Sequence, residues 1–329
     1  MQPGMRTAAI LGTNGYTGQE TLDRLLAHRD LEVVALGSDS LAGESASALD
    51  VRLNGSLPPF LTNEDALHAE ADVVFWCLGH EQAAALEPPP DALVVDLSGA
   101  HRLQEKALYP TWYGFDHPGE LDGWSYALPE LCPPTTRLIA NPGCYVTAAV
   151  LALAPLRDVI DPATVVVDAK SGVSGAGRTP SEATIAGAVL ENMKPYAIGR
   201  HRHLLEMQLM LGFAPTFVPH LLPIRRGLIA TCYVNGVSAD DARRLLVDAY
   251  EHSDVVLVLP EAVVPEISRV VHTDGVEIGV FADPPSGRTI VISAEDNLGK
   301  GAAGQAMQNA NLALGLPETD GLRLHGVKV

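Results

Sequence analysis

One cysteine lies in a sharp turn, Asn141-Pro-Gly-Cys144-Tyr145, where a short strand is predicted to end and a helix to begin. The amides and the dipole at a helix N-terminus lower the pKa of a thiol, so more thiolate is present at neutral pH. The same amides are suited to stabilise an oxyanion on a reacting acyl group. Although a cysteine is more commonly a small buried hydrophobe, this placement predicts that Cys144 is a nucleophile.

The other three cysteines lack this setting. Cys77 and Cys232 lie inside apolar stretches, and Cys132 is followed by two prolines, so we expect all three to be inert. The four cysteines are far apart and form no CxxC pair, which argues against a zinc site and against a disulfide framework. We therefore predict no metal, and reduced thiols in a cytoplasmic protein.

Two histidines and two arginines follow one another in Gly199-Arg-His201-Arg-His203, with Glu206 close behind. The histidines are two positions apart, which places them on different faces of a helix, so a chelating pair is not expected. One of them is predicted to be a general acid/base for the cysteine, oriented by Glu206. A cap of a surface helix is the alternative, and the choice between the two histidines stays open.

A glycine-rich turn comes directly after the first apolar run and opens the first helical pattern. Glycine allows a tight turn and close approach of a pyrophosphate to the backbone, and the helix N-terminus attracts that anion. A plain structural turn is the alternative, but the strand-turn-helix position favours a dinucleotide site. The predicted cofactor residues here are Gly12, Thr13, Asn14, Gly15, Tyr16, Thr17 and Gly18.

The second strand ends at Gly37-Ser38-Asp39-Ser40, where the adenosine ribose of a dinucleotide is expected. An acidic residue there favours the free 2′-hydroxyl of NAD, whereas the hydroxyls of Ser38 and Ser40 are able to bind a phosphate. Ser38 and Asp39 are thus predicted cofactor residues, and the choice between NAD and NADP stays open. Further along, Lys170-Ser-Gly-Val-Ser-Gly-Ala-Gly-Arg178 offers amides, hydroxyls and a guanidinium to a phosphate or an oxyanion, or is a mobile crossover loop.

Short apolar runs alternate with helical patterns in the first third of the chain, which predicts βαβ units and a parallel sheet. The hydrophobic pattern then changes to longer strand-like runs with few helices, which is typical of an α+β region with a mixed or antiparallel sheet. The fold class is therefore α/β, with a Rossmann-type domain followed by an α+β catalytic domain. The predicted strands are 7–11, 31–36, 72–78, 92–97, 138–140, 164–169, 227–234, 255–259, 277–281 and 289–293, and the main helices are 17–28, 145–153, 240–252 and 301–314.

Length and charge narrow the classes of partner. The chain has 329 residues, long enough for two domains, and its formal net charge is −18. Such a surface repels phosphodiester backbones and anionic lipid, so neither nucleic acid nor membrane is an expected partner. No apolar run approaches the length of a membrane span or of a signal peptide.

Taken together, eight segments resemble the N-acetyl-gamma-glutamyl-phosphate reductases, the reductase family of arginine biosynthesis. They are distributed along almost the full chain: GTNGYTG (12–18), DLSGAHRL (96–103), ALPEL (127–131), NPGCYVTA (141–148), KSGVSGAGR (170–178), HRHLLE (201–206), PHLLPIRRGLIAT (219–231) and DNLGKGAAGQAMQN (296–309). The resemblance implies NADP(H) as cofactor, an acyl-phosphate substrate, a cysteine thioester, and a homodimer or homotetramer. It also implies a dinucleotide domain of residues 1–143 with 300–329, and a catalytic and oligomerisation domain of residues 144–299.

Residue roles follow from the matched motifs. The resemblance implies Cys144 as nucleophile and His203, in preference to His201, as acid/base beside Glu206. The further cofactor-binding residues that it implies are Gly79, Ser174, Gly175 and Asn297. The substrate-binding residues that it implies are Ser98, Arg102, Asn141, Gly172, Arg178 and His201.

The chain departs from the family pattern at three places. Ser38-Asp39-Ser40 stands where an arginine is frequent, Leu205 replaces a usual proline, and Cys77-Leu-Gly-His80 differs. Two related activities stay open as alternatives: reduction of carrier-bound aminoadipyl phosphate in lysine biosynthesis, and an aspartate-semialdehyde-type dehydrogenase. A nucleotide-binding regulatory protein without catalysis is the non-enzyme alternative, against which the Cys144 turn argues.

Overall fold

The computed structural model describes residues 5–53, 55, 57–179, 182 and 184–326. These residues divide into two compact units. The first holds the described residues up to Pro142 together with Ala302–Leu322, and the second holds those of Gly143–Gly301 and those from Arg323 onward. Residues 323–326 therefore belong to the second unit, although the sequence analysis placed them in the first. They are held there by two hydrogen bonds: the Asp274 N–H donates to the Arg323 carbonyl, and the Arg323 N–H donates to the Asp274 carboxylate.

The first unit contains a seven-stranded sheet in which all pairs of strands are parallel, in the order β3-β2-β1-β4-β5-β7-β6. Its elements are β1 (Arg6–Leu11), α1 (Tyr16–Ala27), β2 (Leu31–Gly37), β3 (Phe60–Leu61), α2 (Asn63–Leu67), β4 (Val73–Trp76), α3 (His80–Ala84), β5 (Leu93–Asp96), α4 (Tyr109–Trp112), β6 (Trp124–Tyr126) and β7 (Leu138–Ala140).

The second unit contains a mixed seven-stranded sheet in the order β12-β13-β14-β11-β8-β10-β9. Its elements are α5 (Cys144–Leu153), β8 (Val166–Gly172), α6 (Ala186–Val189), β9 (Lys194–Pro195), α7 (His203–Leu211), β10 (Thr216–Leu222), β11 (Leu228–Val234), α8 (Ala239–Tyr250), β12 (Val256–Val258), α9 (Ile267–Val270), β13 (Val276–Asp283) and β14 (Arg288–Glu295). A π-helical turn over Gly299–Ala303 then leads into α10 (Gly304–Leu314), which belongs to the first unit.

The parallel sheet is buried on both faces, whereas the mixed sheet is buried on one face only. All residues of β4 and β5 are buried, since helices cover both faces of the parallel sheet. Along β1, Ala8 and Ile10 enter one apolar core, whereas Ala9 and Leu11 enter the other. In the second unit, β8 and β11 alternate between buried and half-buried residues, which shows one covered face and one open face. The predicted fold class is confirmed.

Three segments differ from the sequence prediction in detail. β10 was not predicted, because Pro219 and His220 interrupt its apolar pattern. Residues 100–137, for which the sequence predicts no regular element, contain the short strand β6, which pairs with β7. Residues 38–59, whose Gly, Ser and Pro content predicts a loop with one helical turn, contain two single turns of 3-10 helix at Ala46–Ala48 and Val51–Leu53.

Hydrogen bonds to the buried Asp96 carboxylate fix the loop that follows β5. Asp96 has no exposed surface, and it accepts hydrogen bonds from His101 Nδ1 at 2.7 Å and from the N–H and hydroxyl of Ser98 at 2.8 and 2.9 Å. The His101 ring stacks on Trp124 at a centroid distance of 3.7 Å. Burial alone would raise the pKa of Asp96, but the bonds from His101 and Ser98 outweigh it, so the pKa lies below its ordinary value of 3.8.

Replacing Asp96 tests these hydrogen bonds through the pH dependence of stability. Because the folded-state pKa is depressed, the carboxylate stabilises the protein fully above the unfolded-state pKa, and this stabilisation is lost as the pH falls below about 4. Asp96→Asn should lower the free energy of unfolding by about 3 kcal/mol near neutral pH, measured by urea denaturation. The gap to the wild type should shrink steadily in acid.

The matched control is Asp241→Asn, which removes an exposed ion pair with Arg244 and should shift the urea midpoint much less. A gap between Asp96→Asn and the wild type that stays constant from neutral pH into acid would show that the charge of Asp96 does not act in this way.

Candidate active site

Cys144 is the first residue of α5, and Gly143 caps that helix without a side-chain hydrogen bond. Small and apolar residues allow the helix to run through the core, and its other nine residues, Tyr145 to Leu153, are all buried. Cys144 alone in this helix is partly exposed. The thiol thus lies where the backbone amides and the helix dipole favour negative charge, as the sequence predicts.

The side chains of α7 meet this helix start at Gly143. A Cβ added to Gly143 would lie 2.2 Å from His203 Nε2, so the imidazole ring occupies the space that glycine leaves. Glu206 Oε2 accepts the Gly143 N–H at 3.0 Å, and its Oε1 lies 3.9 Å from His203 Nε2. A buried imidazole and a buried carboxylate therefore converge on the residue before the cysteine.

His201 takes a different position from His203. Its Nδ1 accepts a hydrogen bond from the His203 N–H at 3.2 Å, at the start of α7. Its ring is enclosed edge-on by the rings of Tyr145, Tyr196 and Phe217. Burial, and secondarily the charge of Arg202, lower the pKa of His201 to about 3. His201 is therefore neutral at physiological pH, and it supports the backbone that carries His203.

Two tyrosines complete this side of the site. Tyr145 donates its hydroxyl hydrogen to the His220 carbonyl at 3.0 Å, and the Tyr196 hydroxyl donates to the Tyr145 oxygen at 3.4 Å. Burial raises the pKa of Tyr145 strongly and that of Tyr196 to about 12. Both phenols thus keep their protons at neutral pH.

Asp296 and Asn297, which follow β14, hold the loops of the second unit in place. Asn297 Oδ1 accepts the Gly227 N–H at 2.7 Å, and its Nδ2 donates to the Ser174 hydroxyl at 2.9 Å. Asp296 Oδ2 accepts a hydrogen bond from Arg226 Nε at 2.7 Å. Asn297, predicted as a cofactor residue, is almost fully buried in this arrangement.

The segment predicted to bind a phosphate or an oxyanion packs against the arginines that follow β10. A Cβ on Gly172 would lie 2.7 Å from the Arg226 backbone nitrogen, so glycine is needed for this approach. Gly175 follows in a turn of 3-10 helix, and Arg178 is exposed at the end of the segment. These predicted residues thus stand together in the second unit.

In the first unit the glycine turn has the geometry that a dinucleotide requires. Gly12 has a φ of +69°, and a Cβ there would lie 2.3 Å from the Cys77 carbonyl oxygen. A Cβ on Gly18 would lie 2.3 Å from the Gly12 oxygen, which explains the close packing of α1 on the turn. Gly15 caps α1 without a side-chain hydrogen bond. The helix start and its narrow backbone cradle suit a pyrophosphate.

Asn63, which the sequence analysis missed, joins this turn to the end of β2. Its Oδ1 accepts the Gly12 N–H at 2.8 Å. Its own N–H and Nδ2 donate to the two carboxylate oxygens of Asp39, each at 2.8 Å. Nearby, Asn14 Nδ2 donates to the Ser40 hydroxyl at 2.9 Å. Two sets of hydrogen bonds therefore join the residues that the sequence predicts beside the ribose to those that it predicts beside the pyrophosphate.

The remaining predicted cofactor residues have distinct surroundings. Thr13 is buried, its N–H donating to the Gly37 carbonyl at 2.9 Å. Tyr16 is partly exposed at the start of α1, with Thr17 next to it. Ser38 is buried, and Gly79 caps α3 with open space where a Cβ would lie.

Three predicted substrate residues are tied into the first unit. Arg102 is buried, and it donates from Nε to the Asn141 carbonyl at 2.7 Å and from Nη2 to the Leu97 carbonyl at 3.0 Å. Asn141 Nδ2 donates to the Ala302 carbonyl at 3.2 Å. Ser98 donates to Asp96, as described above. These bonds hold the backbone on the amino side of the cysteine turn.

The described residues also bear on metal sites, membrane spans and disulfides. Among the described residues, no group of three or more His, Cys, Asp or Glu side chains could hold a metal ion. Within the same part of the chain, no helix has the length and apolar character to cross a membrane. None of the four cysteines forms a disulfide.

Comparison with protein families assigns both units. Residues 7–139 match the model of the semialdehyde dehydrogenase NAD binding domain. Residues 144–297 match that of the semialdehyde dehydrogenase dimerisation domain.

Curated relatives match the chain over nearly its full length. An N-acetyl-gamma-glutamyl-phosphate reductase of Salinispora tropica is 41% identical, covering 98% of this chain and 99% of the relative. The enzyme of the same name from Acidothermus cellulolyticus is 40% identical, covering 97% and 98%. A probable chloroplastic one from Arabidopsis thaliana is 40% identical, covering 95% and 83%.

Solved structures share the fold at low identity. Aspartate semialdehyde dehydrogenase II from Vibrio cholerae, complexed with ASA, has a TM-score of 0.74 at 20% identity, covering 94% of this chain and 98% of that one. Aspartate semialdehyde dehydrogenase with NADP from Candida albicans has a TM-score of 0.63 at 16% identity, with coverage of 94% and 98%.

Gly143→Ala tests whether the His203 ring occupies the space beside Gly143 that a side chain would fill. The backbone there is extended, with a φ of −78°, so alanine is not strained; its methyl group instead overlaps the His203 ring. We expect kcat for reduction of N-acetyl-gamma-glutamyl phosphate, the reaction after which the relatives are named, to fall about a hundredfold. The midpoint temperature of unfolding should fall only modestly. Gly187→Ala is the control, since a Cβ there meets no atom within 4 Å. Unchanged kcat in Gly143→Ala would contradict the placement of His203.

Proposed function

The chain belongs to the N-acetyl-gamma-glutamyl-phosphate reductase family, and on that basis we propose that it reduces N-acetyl-gamma-glutamyl phosphate to N-acetylglutamate semialdehyde in arginine biosynthesis. The observation that carries this is the start of α5. There Cys144 is partly exposed, with the His203 ring and the Glu206 carboxylate at Gly143. The full-length relatives at about 40% identity bear the same name.

The reaction begins with proton transfer and attack. The Cys144 thiol gives its proton to His203, and its sulfur forms a bond to the acyl carbon. The helix amides stabilise the oxyanion, the bond from carbon to the phosphate oxygen breaks, and phosphate leaves as an anion. Exposed Arg178 provides a positive charge for that phosphate. The product of this half is a thioester on Cys144.

The second half reduces the thioester. A bound nicotinamide would supply the hydride that reduces the thioester, and protonated His203 would give its proton to the resulting oxyanion to form a thiohemiacetal. His203 then takes the hydroxyl proton, the carbon–sulfur bond breaks, and the aldehyde leaves as Cys144 regains its proton. Glu206 holds the Gly143 backbone by its hydrogen bond, and its other carboxyl oxygen lies 3.9 Å from His203 Nε2.

NADPH is the cofactor we propose. The glycine turn and the helix start in the first unit suit its pyrophosphate, and the matched domain is a nicotinamide-nucleotide domain. Both carboxylate oxygens of Asp39 accept hydrogen bonds from Asn63, so this acid has a structural use besides ribose binding. The Ser38 hydroxyl is buried and lies 3.4 Å from that of Ser40. The exposed Ser40 hydroxyl accepts a hydrogen bond from Asn14 and is able to donate its own hydrogen to a 2′-phosphate.

A homodimer is the assembly we propose, formed on the open face of the mixed sheet, with a tetramer as a pair of such dimers. Half-buried residues line up across three strands there. Thr231 pairs with Asp168 and Ile292, and Tyr233 pairs in the same way with Val166 and Ile290. The match of this unit to a dimerisation domain supports a dimer formed through this unit.

The cytoplasm is the compartment we propose for the reaction, because a catalytic thiol stays reduced there.

Cys144→Ser tests the nucleophile. We expect kcat to fall by about 10³-fold or more, because a serine hydroxyl has no comparable anion at neutral pH. Cys132→Ser is the control and should keep near-normal kcat, since burial raises the pKa of that thiol. The assay is acyl-phosphate reduction with NADPH and with NADH, and NADPH should give the higher kcat/KM. Full activity of Cys144→Ser would overturn the covalent mechanism, and a preference for NADH would overturn the cofactor assignment.

Separate replacement of the two histidines decides between them. His203→Gln should lower kcat by 10²- to 10⁴-fold, the range typical of a lost acid/base, and should remove the limb of the pH profile that His203 causes. His201→Gln should mainly lower the thermal midpoint and raise KM. Its pH profile should keep its shape, because the pKa of His201 is about 3 and lies outside the assay range. The reverse pattern would identify His201 as the acid/base.

A further inference from the structure

Glu295 is a buried acid with no part in the mechanism above. It is the last residue of β14, paired with Leu228 on one side and with Val276 on the other. Its side chain is on the same strand face as Val291 and Ser293, the face covered by α5. The residue has no exposed surface, and both carboxyl oxygens are buried.

The Glu295 carboxyl lies beside the proposed nucleophile. A Cβ built on Gly301 would be 2.8 Å from Glu295 Oε1 and also 2.8 Å from Cys144 Cβ. These two atoms are therefore separated by at most twice that distance. Since Gly301 has no side chain, nothing from that residue separates the carboxyl from the cysteine.

The surrounding charges favour an anion at Glu295. The start of α5 carries partial positive charge, and Lys300, adjacent to Gly301, is itself fully buried. Asp296 forms an ion pair with Arg226, in which Oδ2 lies 2.7 Å from Nε. The titratable and charged groups near Cys144 are His203 and Glu206 from α7, Glu295 at the end of β14, Asp296 just after that strand, Lys300 from the π-helical turn, and Tyr145, Tyr196, His201 and Arg202 around the helix start. β11 presents Leu228, Ala230 and Cys232 to α5.

We propose that Glu295 acts through Cys144, as an anion that holds the nucleophile in its thiol form in the resting protein. This inference rests on the proposed function, in which Cys144 is the nucleophile. Two negative charges at this range destabilise each other, the more so because the Glu295 side of the pair is fully buried, so the carboxylate opposes the effect of the helix N-terminus on the thiol. The proton leaves the sulfur for His203 only as the carbon–sulfur bond forms. A resting thiol is also less readily oxidised than a thiolate.

Glu295→Gln removes the charge and keeps the shape. We expect the midpoint of Cys144 alkylation by iodoacetamide, followed against pH by peptide mass spectrometry, to fall by about one pH unit. Below that midpoint the alkylation rate rises roughly tenfold. Inactivation by hydrogen peroxide should accelerate in parallel. An unchanged or raised midpoint in folded Glu295→Gln overturns the inference.

Ser293→Ala is the matched control. Ser293 is equally buried, on the same face of β14, and uncharged. Its replacement should leave both the alkylation midpoint and the reductase activity as in the wild type. An equal shift in Ser293→Ala would show that any change under α5 moves the midpoint, which also overturns a role for the Glu295 charge.

A second measurement uses the wild-type residue, in case Glu295→Gln does not fold. With ¹³C-labelled glutamate, one buried carboxyl resonance should shift at the pH where Cys144 ionises, because the coupling of two sites is reciprocal. That shift should be absent in Cys144→Ser, and its absence in the wild type overturns the inference. The proposed function fails separately, if Cys144→Ser keeps reductase activity, whatever the alkylation midpoint shows.

Discussion

The hydrogen bond from the Gly143 N–H to the Glu206 carboxylate is the interaction on which the catalytic group depends. It joins the start of α5, which carries Cys144, to α7, which carries His203. It forms because residue 143 is a glycine: the imidazole fills the space that any Cβ would take. His201 supports the same arrangement from the other end, since its ring accepts the His203 N–H and stays neutral. The proposed nucleophile, the proposed base and their supporting groups are therefore positioned by contacts to the backbone rather than by the thiol itself.

The first unit applies the same principle to an anionic cofactor. Gly12 and Gly18 are needed where the turn touches the Cys77 carbonyl and packs on α1. Asn63 then fixes the turn to Asp39 at the end of β2. In both units a glycine allows a close approach, and a buried polar side chain on a neighbouring element holds the resulting backbone conformation. Such contacts are costly to lose, because a buried polar group without its partner is destabilising.

Much of the fold and of the candidate site could be predicted from the sequence, whereas several side-chain contacts could not. The parallel strands, the glycine turn and the cysteine turn are local patterns, and the structure has them where the periodicity predicts. Asn63, Glu295 and the His101–Asp96 pair were not found. Asp96 and His101 are close in the chain, and their contact depends on the conformation of the loop after β5. Asn63 and Glu295 act across long stretches of the chain that only the tertiary fold brings together: Asn63 reaches Gly12 because β3 lies beside β2, which pairs with β1. The same holds for His203, whose motif is recognisable while its place over Gly143 is not.

The thioester on Cys144 is the central claim, and it can be observed directly. The enzyme is mixed with N-acetyl-gamma-glutamyl phosphate in the absence of any nicotinamide cofactor, quenched in acid, and digested for mass spectrometry, while released phosphate is measured in parallel. One acyl adduct per chain should appear on the peptide that contains Cys144, together with one equivalent of phosphate. Activity with NADPH in an enzyme that forms no adduct on Cys144, or that forms it on another residue, would contradict the mechanism.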